Sequence, residues 1–231
     1  MKMNALIHHL DANRTLILGR AVMSGAASLV PIPYVDELLA ALVRESLIRR
    51  LAEIRKVDIE PAAVQAVAAP HGSRLLTAAT LGSAALGATR RAFRRIAASL
   101  LLVRRVDEAM QTFQVGTLFD HYCARHHVGL GLDAKAAAKL RQAMDRAIRD
   151  THGDTLQKAF RASLEMPVAL PKRLWSRIKR RSGGPIDAEK LDGELRRVEK
   201  TGFVQRTAES VTGVGKNYGR ALAAAFDRSW E

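Results

Sequence analysis

The amino-acid sequence predicts an all-α protein: a helical bundle with Gly/Ala-rich apolar central helices and a basic helical C-terminal extension. Apolar residues recur with a 3.6-residue period through most of the 231 residues, and alternating strand patterns are scarce. Apolar residues make up 48% of the chain but aromatic residues only 5%, so Ala and Leu supply most of the packing volume. Small side chains at this density favour close helix–helix packing over a sheet core, which would be richer in Val, Ile, Tyr and Phe.

The first part of the chain predicts three helices. The first covers about Asn13 to Leu29 and ends at Pro31-Ile32-Pro33, because proline removes a donor and restricts the residue before it. The second covers about Pro33 to Lys56, with apolar residues on one side and charged residues on the other. A short third helix follows from Pro61 and ends near residue 70.

The segment between residues 73 and 127 is expected to form the centre of the bundle. Its first part, Leu75–Thr89, is uncharged and places Ala79, Ser83 and Gly87 four residues apart. A row of small residues at this spacing lets a neighbouring backbone approach closely. A run of arginines, a second apolar stretch and an amphipathic helix to about His126 follow.

The remaining chain predicts further helices separated by turns. Gly129 and Gly131 indicate a turn, and Asp133 is expected to cap a helix that runs to about Asp150. Helices are then expected over about residues 155–166, 187–200 and 203–230. A basic segment at 172–181 and a Ser-Gly-Gly-Pro linker at 182–185 lie between them.

Positive charge is concentrated in one part of the chain. The sequence holds 37 Lys and Arg against 23 Asp and Glu, a formal net charge of +14. Residues 134–181 alone carry 13 basic and 4 acidic residues, an excess of +9. Such an excess indicates a partner of opposite charge, which is acidic lipid, nucleic acid or an acidic protein.

The chain is expected to be intracellular, and no segment predicts a transmembrane helix. Its single cysteine, Cys123, permits no internal disulfide and fits a reducing compartment. The first apolar stretch is interrupted by His8 and His9, unlike a secretory signal. The uncharged stretch Leu75–Thr89 stops at Arg90 after fifteen residues, whereas a spanning helix needs about 20.

The stretch Ala21–Leu38 combines an Ala/Gly-rich helix, a Pro-Ile-Pro-x-x-Asp turn and the start of an amphipathic helix. A second pair of small-residue helices follows, and Thr112–Tyr122 contains a Val-Gly-x-x-Phe element. In these features residues 15–128 resemble the YcjF/EcsC-like group of bacterial proteins. Two positions depart from the pattern: the usual Tyr-Gly after the amphipathic helix is Arg55-Lys56 here, and Arg20 lies inside the first apolar helix.

The resemblance implies a helical domain of a largely uncharacterised group whose members are often membrane-associated and often fused to a GTPase domain. No GTPase domain is expected within these residues. The resemblance implies an accessory role at the inner face of a membrane, and it supplies no catalytic residues. With the charge excess and the linker, the predicted division is a YcjF/EcsC-like helical domain at 1–133, a basic amphipathic helical region continuing the bundle at 134–181, and a linker with C-terminal helices at 182–231.

The basic segment at 172–181 is the best candidate for binding an anionic surface. On a helix it places Leu174, Trp175 and Ile178 together, and each basic residue near an anionic leaflet contributes about 1 kcal/mol. The alternative is a solvated face with its Trp docked on the bundle. The binding residues predicted in this segment are Lys172, Arg173, Trp175, Arg177, Lys179, Arg180 and Arg181.

Arginines also flank the apolar stretches of the predicted centre. If those stretches dip into lipid, the arginines can reach phosphate head groups by snorkelling. Otherwise they are the solvated ends of a buried hairpin. The set consists of Arg90, Arg91, Arg94 and Arg95, followed by Arg104 and Arg105.

The turn at Pro31, Pro33 and Asp36 is the sharpest local motif. Asp36 is expected in the first turn of the second helix, where the exposed amides and the helix dipole stabilise an acid. This structural role accounts for the residue, and the alternative is a group that docks a partner.

Four residues near one helix end, His121, Cys123, His126 and His127, lie beside Asp120. Cys123 and His127 are four apart, so they share a helix face and have the spacing of a metal-binding or nucleophile pair. Zinc sites normally show four well-spaced ligands, and a second half is missing from this stretch. We therefore expect a surface helix end enriched in histidine, with no metal, cofactor or catalytic residue.

Together these features favour a non-enzymatic, membrane-surface-associated helical adaptor or scaffold in a bacterial cytoplasm, peripheral to the inner face of the membrane. An anionic membrane surface is the expected partner, and a protein partner is a further option. The alternative is a basic helical nucleic-acid-binding protein, for which a pI near 10.7 is an adequate electrostatic footprint. Against that alternative, the sequence presents no helix-turn-helix, zinc finger or aromatic stacking platform.

Overall fold

The structure, a computed structural model, describes residues 8–27, 35–69, 90–129, 131–164, 188–199 and 202–230. The predicted small-residue row at Ala79, Ser83 and Gly87 therefore lies outside the described residues.

The predicted all-α fold is confirmed, because the described residues form nine helices and one pair of two-residue strands. In chain order the elements are α1 (His8–Ala12), α2 (Arg14–Ala27), α3 (Val35–Arg55), β1 (Asp58–Ile59), α4 (Pro61–Ala68), α5 (Arg90–Arg125), β2 (Gly131–Leu132), α6 (Ala134–Arg149), α7 (Asp154–Leu164), α8 (Ala188–Glu199) and α9 (Gly202–Trp230). The longest, α5, joins what the sequence indicated as an arginine run, an apolar stretch and an amphipathic helix into 36 residues.

Local chemistry sets several helix ends. The Asp133 side chain accepts a hydrogen bond from the Ala136 amide at 2.7 Å, which confirms the predicted N-cap of α6. Proline begins α4, where its missing N–H costs nothing. At the end of α3, Lys56 adopts a φ of 57°, in the left-handed region that favours glycine.

The two strands tie the middle of the chain together. Asp58 pairs with Gly131 and Ile59 with Leu132 in parallel register. The Glu60 amide then donates to the Leu132 carbonyl at 3.2 Å. This short pairing holds the start of α4 beside the start of α6.

The core is built around α2, which is buried from Ile17 to Ala27 and packs against α5. Two glycines permit close contact among α2, α3 and α5. A Cβ at Gly25 would lie 2.6 Å from the Arg105 carbonyl oxygen, and a Cβ at Gly116 would lie 2.7 Å from Leu47 Cδ2. Close packing through small residues, expected from the sequence, is thus present between α2, α3 and α5.

The C-terminal helix α9 belongs to the same core. It packs on α2, α6 and α7, and its Leu222 and Phe226 side chains are fully buried. One continuous apolar cluster therefore includes residues from Ile17 to Phe226.

Arg20, which the sequence placed inside an apolar helix, is fully buried with its charge matched. Its guanidinium donates to Ser46 Oγ at 2.8 Å and to Asp192 Oδ1 at 2.7 Å. Burial alone would raise the pKa of Asp192, but hydrogen bonds from Ser46 and Arg20 outweigh it and lower that pKa. The ion pair therefore joins α2, α3 and α8.

The sequence predicts Arg105 as one of the charges that flank the apolar stretches, but the structure buries it. Its side chain is only 8% exposed, and Nη1 donates to the Leu164 carbonyl at 3.0 Å. The prediction of a solvated or lipid-facing group is wrong for Arg105, because its side chain is buried and donates a hydrogen bond to the last backbone carbonyl of α7. Its neighbour Arg104 is exposed. No helix in the described part of the chain is long and apolar enough to cross a membrane.

Candidate functional site

A group of polar side chains lies at the C-terminal end of α5, where α1 and α9 pack against it. We define the histidine cluster as His9, His121, His126 and Asp227. His121 is buried and the other three are half-buried. The residues come from three helices and span more than two hundred positions of sequence.

The histidine cluster is a continuous chain of short contacts. His9 Nε2 lies 2.9 Å from His121 Nδ1, and His121 Nε2 lies 2.6 Å from Asp227 Oδ1. His126 Nε2 lies 2.7 Å from the same Asp227 oxygen. Two imidazoles therefore share one carboxylate oxygen.

These contacts fix the tautomers of neutral rings. A carboxylate oxygen only accepts hydrogen bonds, so His121 and His126 both donate from Nε2–H. A neutral His121 that is protonated at Nε2 presents Nδ1 as an acceptor, so His9 donates to it from its own Nε2–H.

Burial keeps the inner imidazoles uncharged. It lowers the pKa of His9 to about 4, with a further lowering from His121. Burial also lowers the pKa of His121, although the hydrogen bond to Asp227 works in the opposite direction. Both rings are neutral at pH 7.

Asp227 is held in its ionised form. Burial favours the neutral acid, but hydrogen bonds from His121 and His126 outweigh it and lower the pKa of Asp227. Its second oxygen lies 3.1 Å from Arg125 Nη1. The cluster thus presents one carboxylate beside the neutral imidazoles of His9 and His121, with the Arg125 guanidinium on its outer side.

A second polar group supports the cluster from the interior. The Asp120 side chain is fully buried and accepts from Arg55 at 2.7 and 2.8 Å and from Asn13 at 2.7 Å. The hydrogen bond between Arg55 and Asp120 raises the pKa of Arg55. Arg55 also donates to the His9 carbonyl at 3.2 Å, so this ion pair positions α1 and its histidine.

Aromatic rings cover one side of the histidine cluster. The Phe226 ring lies 6.0 Å from His121 and 5.7 Å from His126, between ring centroids. Trp230 stacks on Phe226 at 5.6 Å and meets Tyr122 edge-on at 5.1 Å. The Phe226 ring contributes to the burial of His121, and burial is the largest cause of the lowered pKa of that imidazole.

The prediction of a histidine-rich helix end at the surface is wrong for His121, whose side chain is only 2% exposed. Packing of α9 buries it, which the local sequence does not show. The alternative pair of Cys123 and His127 gains no support. Burial raises the pKa of the Cys123 thiol to about 12, so it is not a nucleophile at neutral pH, and His127 Nδ1 lies 3.4 Å from the Tyr122 hydroxyl.

Sequence reasoning found two members of the cluster and missed two. His121 and His126 were visible as neighbours on one helix, whereas His9 and Asp227 lie more than a hundred positions from His121. His9 precedes the first predicted helix, and Asp227 is one acid in a charged helix. Neither carries a local signal.

Most of the predicted binding residues lie outside the described part of the chain. This holds for Pro31, for Pro33 and for the whole basic segment at 172–181. Asp36 lies in the first turn of α3, as predicted. Arg90, Arg91, Arg94 and Arg95 lie in the first turns of α5. For Asp36 and these four arginines the structure describes the backbone only.

Comparison with protein-family models, with curated proteins and with solved structures finds no match.

Proposed function

We propose that the protein is a non-enzymatic helical adaptor or scaffold that binds an anionic membrane surface at the inner face of a bacterial membrane. The observation that carries the proposal is the arrangement of arginines at the start of α5. Arg90 and Arg94 are four residues apart on this helix, as are Arg91 and Arg95.

Like charges at this spacing oppose one another on a helix. Each such pair destabilises an isolated helix by about 0.2–0.5 kcal/mol. The chain offers these arginines no acidic neighbour on their own helix turn, because it has no Asp or Glu between Glu60 and Asp107. An anionic surface would remove this repulsion.

Apolar and basic side chains meet further along α5. Val103 is 50% exposed and lines a surface depression whose other lining residues are Leu102, Val106, Asp154, Gln157, Lys158 and Arg161, so two basic side chains and one acidic side chain border it. A surface that combines exposed apolar groups with lysine and arginine suits the boundary between lipid head groups and acyl chains.

Vesicle flotation tests the proposal. Replacing Arg90, Arg91, Arg94 and Arg95 by Gln removes about 4 kcal/mol at most on an anionic leaflet, which is two to three orders of magnitude in affinity. A control variant replaces four exposed basic residues outside both α5 and the basic region at 134–181, namely Lys56, Arg206, Arg220 and Arg228, so both variants have the same net charge. Replacing Arg177, Lys179, Arg180 and Arg181 by Gln tests the second predicted segment.

We expect the protein to float with phosphatidylserine vesicles but not with neutral phosphatidylcholine vesicles, and binding to weaken with salt. The α5 variant should lose most of this binding, and the control variant should keep it. Equal binding by the α5 and control variants would overturn the assignment of the surface. Tight binding to a DNA or RNA duplex without vesicle binding would favour the nucleic-acid alternative.

A further inference from the structure

The geometry points to a site for a divalent transition-metal ion formed by His121, His126 and Asp227, a proposal that goes beyond the membrane function and does not depend on it. The three ligand atoms are His121 Nε2, His126 Nε2 and an Asp227 carboxylate oxygen. All lie within 4.8 Å of one another. They come from two helices, α5 and α9, whose packing brings them together.

The donor set defines the class of ion. Two imidazole nitrogens and one carboxylate oxygen suit zinc and its first-row neighbours, whereas calcium and magnesium prefer oxygen donors throughout. Three protein ligands also leave a coordination position for water or an external ligand. We therefore choose Zn²⁺ as the probe.

The present hydrogen bonds occupy the same atoms that a metal would use. Asp227 Oδ1 accepts two N–H groups at 2.6 and 2.7 Å. Donor atoms around a tetrahedral zinc ion, with bonds of about 2.0–2.1 Å, lie about 3.3 Å apart. Binding therefore needs each imidazole nitrogen to lie about 0.6 Å farther from the Asp227 oxygen, and Asp227 and His126, at 29% and 19% exposure, face solvent enough to move.

His9 completes the arrangement as an outer partner. With a metal on His121 Nε2, the proton of that ring lies on Nδ1 and donates to His9 Nε2, across the 2.9 Å contact already present. A histidine ligand typically donates its second N–H to such a partner, which fixes the ring orientation. Both rings change tautomer while staying neutral, so no net proton is released.

Titration calorimetry with Zn²⁺ and the untagged full chain tests the site. His126→Gln and Asp227→Asn each remove a half-exposed ligand. His152→Gln is the matched control, because His152 is exposed and lies outside the cluster. Circular dichroism on each variant establishes that it is folded, and visible absorption of the wild-type protein with Co²⁺ reports coordination independently of any variant.

We expect one Zn²⁺ ion per chain in the micromolar range or tighter, and visible Co²⁺ bands that indicate four or five ligands. Loss of an outer partner typically weakens metal binding by about 10- to 100-fold, and we expect each ligand variant to lose at least this much affinity for Zn²⁺. The control should bind as the wild type does. The proposal is overturned if the wild type does not bind Zn²⁺, if both ligand variants bind unchanged, or if His152→Gln weakens binding as much as they do.

Discussion

Replacing Gly25 by alanine should destabilise the protein, although alanine is the better helix former. The added Cβ would lie 2.6 Å from the Arg105 carbonyl oxygen, 3.1 Å from Leu164 Cδ1 and 3.2 Å from Ala109 Cβ. The first contact is with backbone of α5, which cannot rotate away, so α2 and α5 must separate. Such overpacking costs about 1–3 kcal/mol. Helix propensity returns about 0.8–1 kcal/mol.

The net expectation is a loss of up to about 2 kcal/mol in the free energy of unfolding, or up to roughly 8 °C in melting temperature for a chain of this size. Gly213→Ala is the matched control, since Gly213 lies within α9 and a Cβ there would meet nothing within 4 Å. That variant should melt about 2–4 °C higher. Thermal denaturation followed by circular dichroism decides the matter, and a melting temperature for Gly25→Ala at or above that of the wild type refutes the close contact.

Three further predictions follow from single residues, each checked by urea denaturation. Lys56→Gly should raise the free energy of unfolding by about 1 kcal/mol, because it relieves a left-handed backbone at a lysine; a decrease would count against this. Asp120→Asn should lower it by about 3 kcal/mol at pH 7.5, since Arg55 loses its buried carboxylate; a change below about 1 kcal/mol would contradict this role. Stability should also fall as the pH drops from 6.5 to about 4, because unfolded His9 takes up a proton in that range and folded His9 does not. Allowing for partial exposure, the effect is about 1–2 kcal/mol, and His9→Gln should flatten the profile.

The helices could be predicted from the sequence because their signals are local. The boundaries of α3, α4 and α6 fall within about two residues of the expected ones, as the periodicity, Pro61 and the Asp133 cap all act within one helical turn. The sequence did not show that α5 is a single helix, since clustered arginines look like interruptions. Nor did it show the β1–β2 pairing, which joins two residues to two others more than seventy positions away.

The candidate site could be predicted only in part, for a related reason. Two histidines five residues apart on a helix are visible in the sequence, but their shared carboxylate comes from another helix. The burial of His121 and of Arg105 depends on which helices cover them, namely α9 and α7. The sequence shows which of these side chains are polar or charged, but it does not show which groups they contact.

The position of α9 has a consequence for synthesis on the ribosome. A Cβ at Gly215 would lie 3.5 Å from Phe113 and 3.6 Å from Leu18, so α9 rests directly on the apolar faces of α5 and α2. Roughly a hundred residues separate the end of α5 from the end of α9, which take about 5–20 s to translate. Those apolar faces stay open during that interval, and we expect the nascent chain to need a chaperone until its last described helix emerges.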